Sequence, residues 1–359
     1  MDENEIIEYM KKGDTGNPFK YFNFDQKLTC YDFYEDFARQ LVGYLQPECN
    51  PYNYKKVKEF NFKYCWNINV NASSIENEYD DSITLNEGAV IKIYSFFYKL
   101  INSVSLFQLD VEIPPYILIE INSSFHKKAH SPFYEKFVLS DNSILNNLAE
   151  YLSMFSIKYL IAHEVGHAFG GHSIYYNHIP RMIKESTGSQ LYQCYLDLQT
   201  METDADTFAS TRIMEEAFLF YKSDKNKLHL ANKVDILKMP IYAIHCLHYI
   251  FRDYRTWKDF NKEHPPAFVR ESMSLGAAKA TLDNHSILFS DEFYIGDIAK
   301  LDDCICTAYK TSNDRFQEYV KTFGKEAGKW AQMLSENYKN RVSYKIKSES
   351  RLPVEGLDY

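Results

Sequence analysis

At 359 residues the chain is longer than one usual compact domain, and its 45% hydrophobic and 16% aromatic content, with 29 Tyr and 25 Phe, excludes a disordered polypeptide. The 49 acidic against 40 basic residues leave a formal charge of -9, a field that repels phosphate backbones and excludes nucleic acid as the main partner. The seven cysteines are scattered and form no CxxC pair, which excludes a cysteine-based zinc site and makes reduced thiols the expectation.

The opening MDENEIIEYMKKGDTG is acidic and polar, without the basic end and apolar run of a signal peptide, so a cytoplasmic location is expected. Residues 1–130 mix short alternating and apolar runs, and residues 64–70 and 116–121 read as strands, the second preceded by Pro114-Pro115. We take this as an N-terminal mixed α/β region with a substrate or regulatory role. From Asp141 the texture changes: Leu148, Leu152, Phe155 and Tyr159 recur at helical spacing, Asp141 or Ser143 can cap the start, and Gly170-Gly171 can close the end.

A loop around Pro180 and Gly188 is expected next, then a helix over about 191–220 and another over about 234–254. The apolar part of the latter, ILKMPIYAIHCLHYIF, is short for a membrane span and carries Lys238, Pro240, His245 and His248, so it reads as a buried helix and no membrane partner is expected. After the HPPAF segment at His264, residues 287–344 read as mostly helical. The whole is a predominantly helical α+β chain in three parts, 1–130, a core over 131–285 and a helical region over 286–359.

The string HEVGH places His163 and His167 four apart on one helix face, where both imidazoles can reach one metal ion. Glu164 sits beside His163, positioned to take a proton from a metal-bound water, and Gly166 gives a neighbouring element room to approach. A catalytic zinc needs a third protein ligand and an open place for water. His172 is one candidate, but the metzincin spacing would put that histidine at the position of Ser173, one residue further on. Glu202 of the ETDAD segment is the favoured candidate, with Asp206 one turn on to accept the free imidazole N–H of a zinc-bound histidine, while Asp204 points elsewhere.

Other histidines read as structural: His245 and His248 as core groups, His126 and His130 as a solvated loop, and His178, His229 and His285 as residues without a partner pattern. Tyr175, Tyr176 and Tyr192 are candidate oxyanion donors by proximity alone.

With HEVGH, Glu202 to Asp206 as E-x-x-A-D, and HPPAFVR from His264 to Arg270, the sequence resembles the gluzincin metallopeptidases over residues 144–273. It is most similar to the phage-exclusion Lit-type peptidases, which share a histidine at the place of His172 and the His-Pro element, and more distantly similar to CAAX-prenyl and HtpX-like membrane peptidases. The resemblance implies a zincin-like core in which His163, His167 and Glu202 hold Zn2+, Glu164 is the base, and His264 and Arg270 lie near the site. Those last two would donate to the oxyanion of the tetrahedral intermediate or hold Glu202 and Asp206 in place. It further implies a zinc endopeptidase acting on an intracellular protein or peptide, with a role in phage defence. A catalytically idle metal-binding interaction protein is one alternative. A repressor-cleaving regulatory metallopeptidase is another, since ETDADTFA is similar to the motif of that group.

Overall fold

The computed structural model describes residues 30–45, 59–76, 80–125, 133–223, 228–251, 263–287, 291–311 and 314–352. His126, His130 and the expected continuation of a helix to residue 254 lie outside the described residues.

Helix α1 (Cys30–Leu45) precedes strands β1 (Glu59–Cys65), β2 (Ala72–Glu76) and β3 (Asp80–Asn86). These strands form a small mixed sheet in the order β1-β3-β2, with β1 parallel and β2 antiparallel to β3, so that Phe62 and Ser74 both pair with Ile83. The strand expected over residues 64–70 therefore lies earlier in the chain. The reason is local: Asn67 accepts the Asn69 N–H with its side chain and the Gly88 N–H with its carbonyl, both at 2.9 Å, which bends the backbone out of a ladder. A Cβ on Gly88 would come within 2.5 Å of that Asn67 carbonyl oxygen, so the close approach of this turn needs glycine.

Helix α2 (Glu87–Ser103) follows directly and is buried over most of its surface, with Ile91, Ile93, Tyr94, Phe97, Tyr98 and Leu100 in the core. Strands β4 (Leu118–Phe125) and β5 (Phe133–Ser140) pair antiparallel, Leu118 opposite Ser140, and their ladder joins residues on either side of position 130. β4 starts two residues later than the expected 116–121 run because the Ile117 N–H is taken by Asp141 Oδ1 at 3.0 Å. The α2 side chains Ser95 and Asn102 donate to the β5 carbonyls of Lys136 and Val138 at 2.7 and 3.0 Å, which fixes the helix across the hairpin.

The central element is α3 (Ser143–Phe169), packed against α2, α5 (Gly188–Lys222) and α6 (Asp235–Phe251). Its cap is Asn142, whose Oδ1 accepts from the N–H groups of Ile144 and Leu145 at 3.0 and 3.3 Å. Neither expected cap serves, since Asp141 is committed to Ile117 and Ser143 is already the first helical residue. Gly170 closes the helix as expected, and Gly171 takes the left-handed conformation at φ 75°, from which α4 (His172–Glu185) starts at once. The expected loop at Pro180 is absent: Pro180 lies within α4, on its exposed side, while Tyr175 and Ile179 anchor the helix in the interior. Only Ser186 and Thr187 separate α4 from α5.

Helices α7 (Ala267–Asn284), α8 (Asp291–Tyr309) and α9 (Asp314–Asn337) follow, then a π turn (Tyr338–Val342) and α10 (Ser343–Ile346), so the tail is helical as expected. The architecture is predominantly helical with a small mixed sheet. Among the described residues no helix is long and apolar enough to cross a membrane. His245 is the core histidine its apolar surroundings suggest: Nδ1 lies 2.6 Å from Glu271 Oε1 and Nε2 3.0 Å from Asp302 Oδ1, joining α6, α7 and α8. Burial opposes its charge, but Glu271 and Asp302 outweigh that and hold the imidazolium up to about 9.

A pH-dependent weakness sits elsewhere on α3. Tyr98 donates to Glu150 Oε1 at 2.7 Å, yet burial outweighs this bond and pushes the carboxyl from 4.5 to about 7. Between those two values the unfolded chain loses this proton and the folded chain keeps it, so folding is penalised as pH rises through that window. Replacing Glu150 by Gln is expected to stabilise the fold by on the order of 2 kcal/mol at pH 8 and by nothing below about pH 4. Urea denaturation at the two pH values checks it, and an equal effect at both would refute the assignment.

Candidate metal centre

His163 and His167 emerge four apart on one face of α3, one helical turn from each other, and that face meets α5. The helices come close because Gly166 stands at the crossing. A Cβ there would lie 3.1 Å from the Phe208 ring and 3.3 Å from Ala205 Cα. Glu202 of α5 is thereby brought to both histidines, its Oε2 lying 3.5 Å from His163 Nε2 and its Oε1 3.4 Å from His167 Nε2. The two Nε2 atoms are 3.0 Å apart, and the three residues form a group whose ligand atoms all lie within 4.8 Å of one another.

The far nitrogen of each ring has its own partner. His163 Nδ1 lies 2.9 Å from Asp206 Oδ1, and Asp206 is fully buried. Asp206 also accepts the Tyr159 hydroxyl at 2.8 Å and a two-pronged contact from Arg270, Nε at 2.7 Å and Nη2 at 2.8 Å. Burial alone would raise the Asp206 carboxyl, but Arg270 and His163 outweigh it and hold it well below the usual carboxylate range. His167 Nδ1 lies 3.1 Å from His172 Nδ1, and His172 Nε2 lies 2.9 Å from Asp204 Oδ2.

The two histidines differ electrostatically for this reason. Burial disfavours the charged form of both, but at His163 it is outweighed by Asp206 and Glu202, which raise the ring to about 10, whereas at His167 burial prevails and the ring is shifted down. Glu202 feels burial too, and His167, His264 and His163 outweigh it, so the carboxyl is held well below its ordinary value.

A carboxylate can only accept a hydrogen bond, so Asp206, 2.9 Å from His163 Nδ1, favours a proton on that nitrogen. The same rule applied at Asp204 places a proton on His172 Nε2, leaves His172 Nδ1 as an acceptor, and places the proton of His167 on Nδ1. With both rings neutral, both Nε2 lone pairs would face each other and the ionised Glu202. Three buried acceptors converging in this way repel unless one positive charge, a shared proton or a metal ion, sits among them. The residues present fit a metal ion, and two imidazoles with one carboxylate suit zinc and its first-row neighbours.

The remaining candidates fall into place around this centre. Glu164 is buried on α3 beside His163. His264 is 60% exposed at its side chain, with Nδ1 2.9 Å from Glu202 Oε2, and Arg270 Nη2 is 3.6 Å from the same oxygen. Tyr175 and Tyr192 are committed to Asp197 and Met333, whereas Tyr176 reaches Glu263 Oε2 at 3.2 Å, next to His264. His178 is exposed, His229 lies 3.4 Å from Asp110, and His285 stacks on Phe218 with ring centres 3.9 Å apart. His248 approaches Tyr159 and Ser274 at 3.5 and 3.4 Å. Asp204 does point away from the converging atoms, as expected, but its pairing with His172 was not foreseen; the only sequence signal was His172 itself, weighed there as a ligand.

Comparison with protein-family models, curated proteins and solved structures found no match.

Proposed function

We propose that the chain is a zinc-dependent endopeptidase with a zincin-like core, held by His163, His167 and Glu202. The reading is carried by the convergence of these three ligand atoms within 4.8 Å, with the far nitrogens of both rings engaged by other groups. Zinc, when bound, supplies a Lewis acid that polarises a scissile carbonyl and brings the pKa of a bound water towards about 7. Glu164, one position round the helix from His163, would act as the base that accepts a proton from the attacking water and passes it to the leaving amine. His264, exposed at the rim of Glu202, is open to substrate and serves as the donor to the developing oxyanion. Arg270 is committed to Asp206, which supports the holding role in preference to an oxyanion role. The substrate is an intracellular protein or peptide cut in the cytoplasm, and the biological setting, by resemblance to the Lit-type group, is phage defence.

The test separates an enzyme from an idle metal-binding protein. Replacing Glu164 by Gln is expected to keep the metal content of the parent and to slow cleavage about 10²–10⁴-fold, the usual contribution of a positioned acid–base group. Cells expressing the parent should accumulate new protein N-termini, read by mass spectrometry, that cells expressing the Gln variant lack. Identical N-termini and growth in both strains would leave the metal-binding interaction protein as the better reading.

A further inference from the structure

We propose that His172 and Asp204 form a positioning relay that fixes the orientation and the Nδ1–H tautomer of His167 and so sets how tightly the centre holds its metal. This rests on the metal reading above and deepens it. The relay runs from Asp204 Oδ2 to His172 Nε2 at 2.9 Å, and from His172 Nδ1 to His167 Nδ1 at 3.1 Å. His172 is buried, and the His167 and His172 rings meet edge to face with centroids 5.1 Å apart.

Only one arrangement of protons satisfies both contacts with neutral rings. Asp204 can only accept, so His172 donates from Nε2; its Nδ1 is then an acceptor, and His167 must donate from Nδ1. That leaves the His167 Nε2 lone pair directed at Glu202 and His163 Nε2, where a metal ligand needs it. Asp206 does the same for His163 directly, so the two ligands are fixed by unlike means: a carboxylate on one, an imidazole backed by a carboxylate on the other.

The backbone is shaped for the second device. Gly171 at φ 75° reverses the chain so that the first residue of α4 returns beneath the last turn of α3. At Gly170, a Cβ would lie 3.0 Å from His172 Nε2 and 2.7 Å from the Gly166 carbonyl oxygen, so the first glycine leaves the space that the His172 ring occupies. Four residues between His167 and α4 therefore convert a helix end into a support for a ligand. His172 stands behind His167, on the side away from Glu202, and does not supply a third ligand atom.

The experiment uses the full chain and Co2+ as a spectroscopic probe, with Zn2+ affinity measured by competition against a chelator. His172→Phe and Asp204→Ala are expected to fold with the circular dichroism of the parent and to bind either ion 10–100-fold more weakly, the range for losing a partner of a metal-bound histidine. Asp204→Asn keeps an acceptor and should recover most of that loss. In the Zn2+-loaded parent, NMR should show a slowly exchanging, low-field Nδ1 proton on His167 that disappears in His172→Phe. Asp204 is 33% exposed at its side chain, so its variants keep the test open if His172→Phe fails to fold. Parent-like affinity in Asp204→Ala with an unchanged His167 proton overturns the relay and leaves the metal centre standing. A loss in His172→Phe as deep as that in His167→Ala also overturns it, by making His172 a ligand. A parent that binds neither ion refutes the metal reading itself, a different result from the other two.

Discussion

Replacing Arg270 by Ala is expected to lower folding stability by about 3–5 kcal/mol, the range for stripping one partner from a buried ion pair. The fully buried Asp206 carboxylate takes both of its strongest contacts from the Arg270 guanidinium, at 2.7 and 2.8 Å, and would be left to the Tyr159 hydroxyl and His163. Lysine cannot reproduce a fork of two parallel N–H donors, so Arg270→Lys should recover only part of the loss. Because both residues belong to one network, the double variant Arg270→Ala/Asp206→Ala should cost less than the two single changes added together. Denaturant titrations of the metal-free protein check this without any assay of activity. A cost under 1 kcal/mol for Arg270→Ala would mean that Asp206 is solvated in a way the burial of its side chain does not allow.

Glu202→Ala is expected to weaken zinc binding by roughly 10³-fold or more. Protein zinc sites bind with on the order of 10–16 kcal/mol in total, and losing even about 4 kcal/mol with one of three protein ligands is roughly three powers of ten. The same variant removes the carboxylate that His264 Nδ1 approaches at 2.9 Å, so the loop at His264 should become more mobile. Competition with a chelator reads the first effect and NMR relaxation the second. The expected order of damage, Glu202→Ala above His172→Phe, is itself informative. The reverse order would mean that the out-of-register histidine coordinates the ion and the α5 carboxylate does not.

The parts of this centre that were legible in the sequence are those set by helical geometry alone. His163 with His167, and Glu202 with Asp206, are pairs at four-residue spacing, and a helix places such pairs on one face whatever surrounds them. Arg270 and His264 could be placed near the site through the resemblance, but the choice between oxyanion donor and holding group needed the distance to Asp206. The His172 relay was out of reach because it depends on a left-handed turn at Gly171 that brings α4 back under α3, a tertiary consequence of two glycines that pattern reading treats as a stop.

The fold shows the same division. α3 was readable from its apolar spacing, whereas α2 was not located, because it is buried over most of its surface and its start carries no side-chain cap. The strand expected at residues 64–70 was displaced by the turn at Asn67, a local side-chain bond that outcompetes the ladder. Pro180 was read as a loop because proline usually ends helices, and burial of Tyr175 and Ile179 in the turns before the solvent-facing ring overrides that preference.

The most direct test of the centre is anomalous diffraction at the zinc edge from crystals of the full chain grown with one equivalent of Zn2+. The expected result is one peak bonded to His163 Nε2, His167 Nε2 and the Glu202 carboxylate at about 2.0–2.2 Å, with His172 outside bonding distance. A peak bound by His172 in place of Glu202, or no peak among these residues at all, would contradict it.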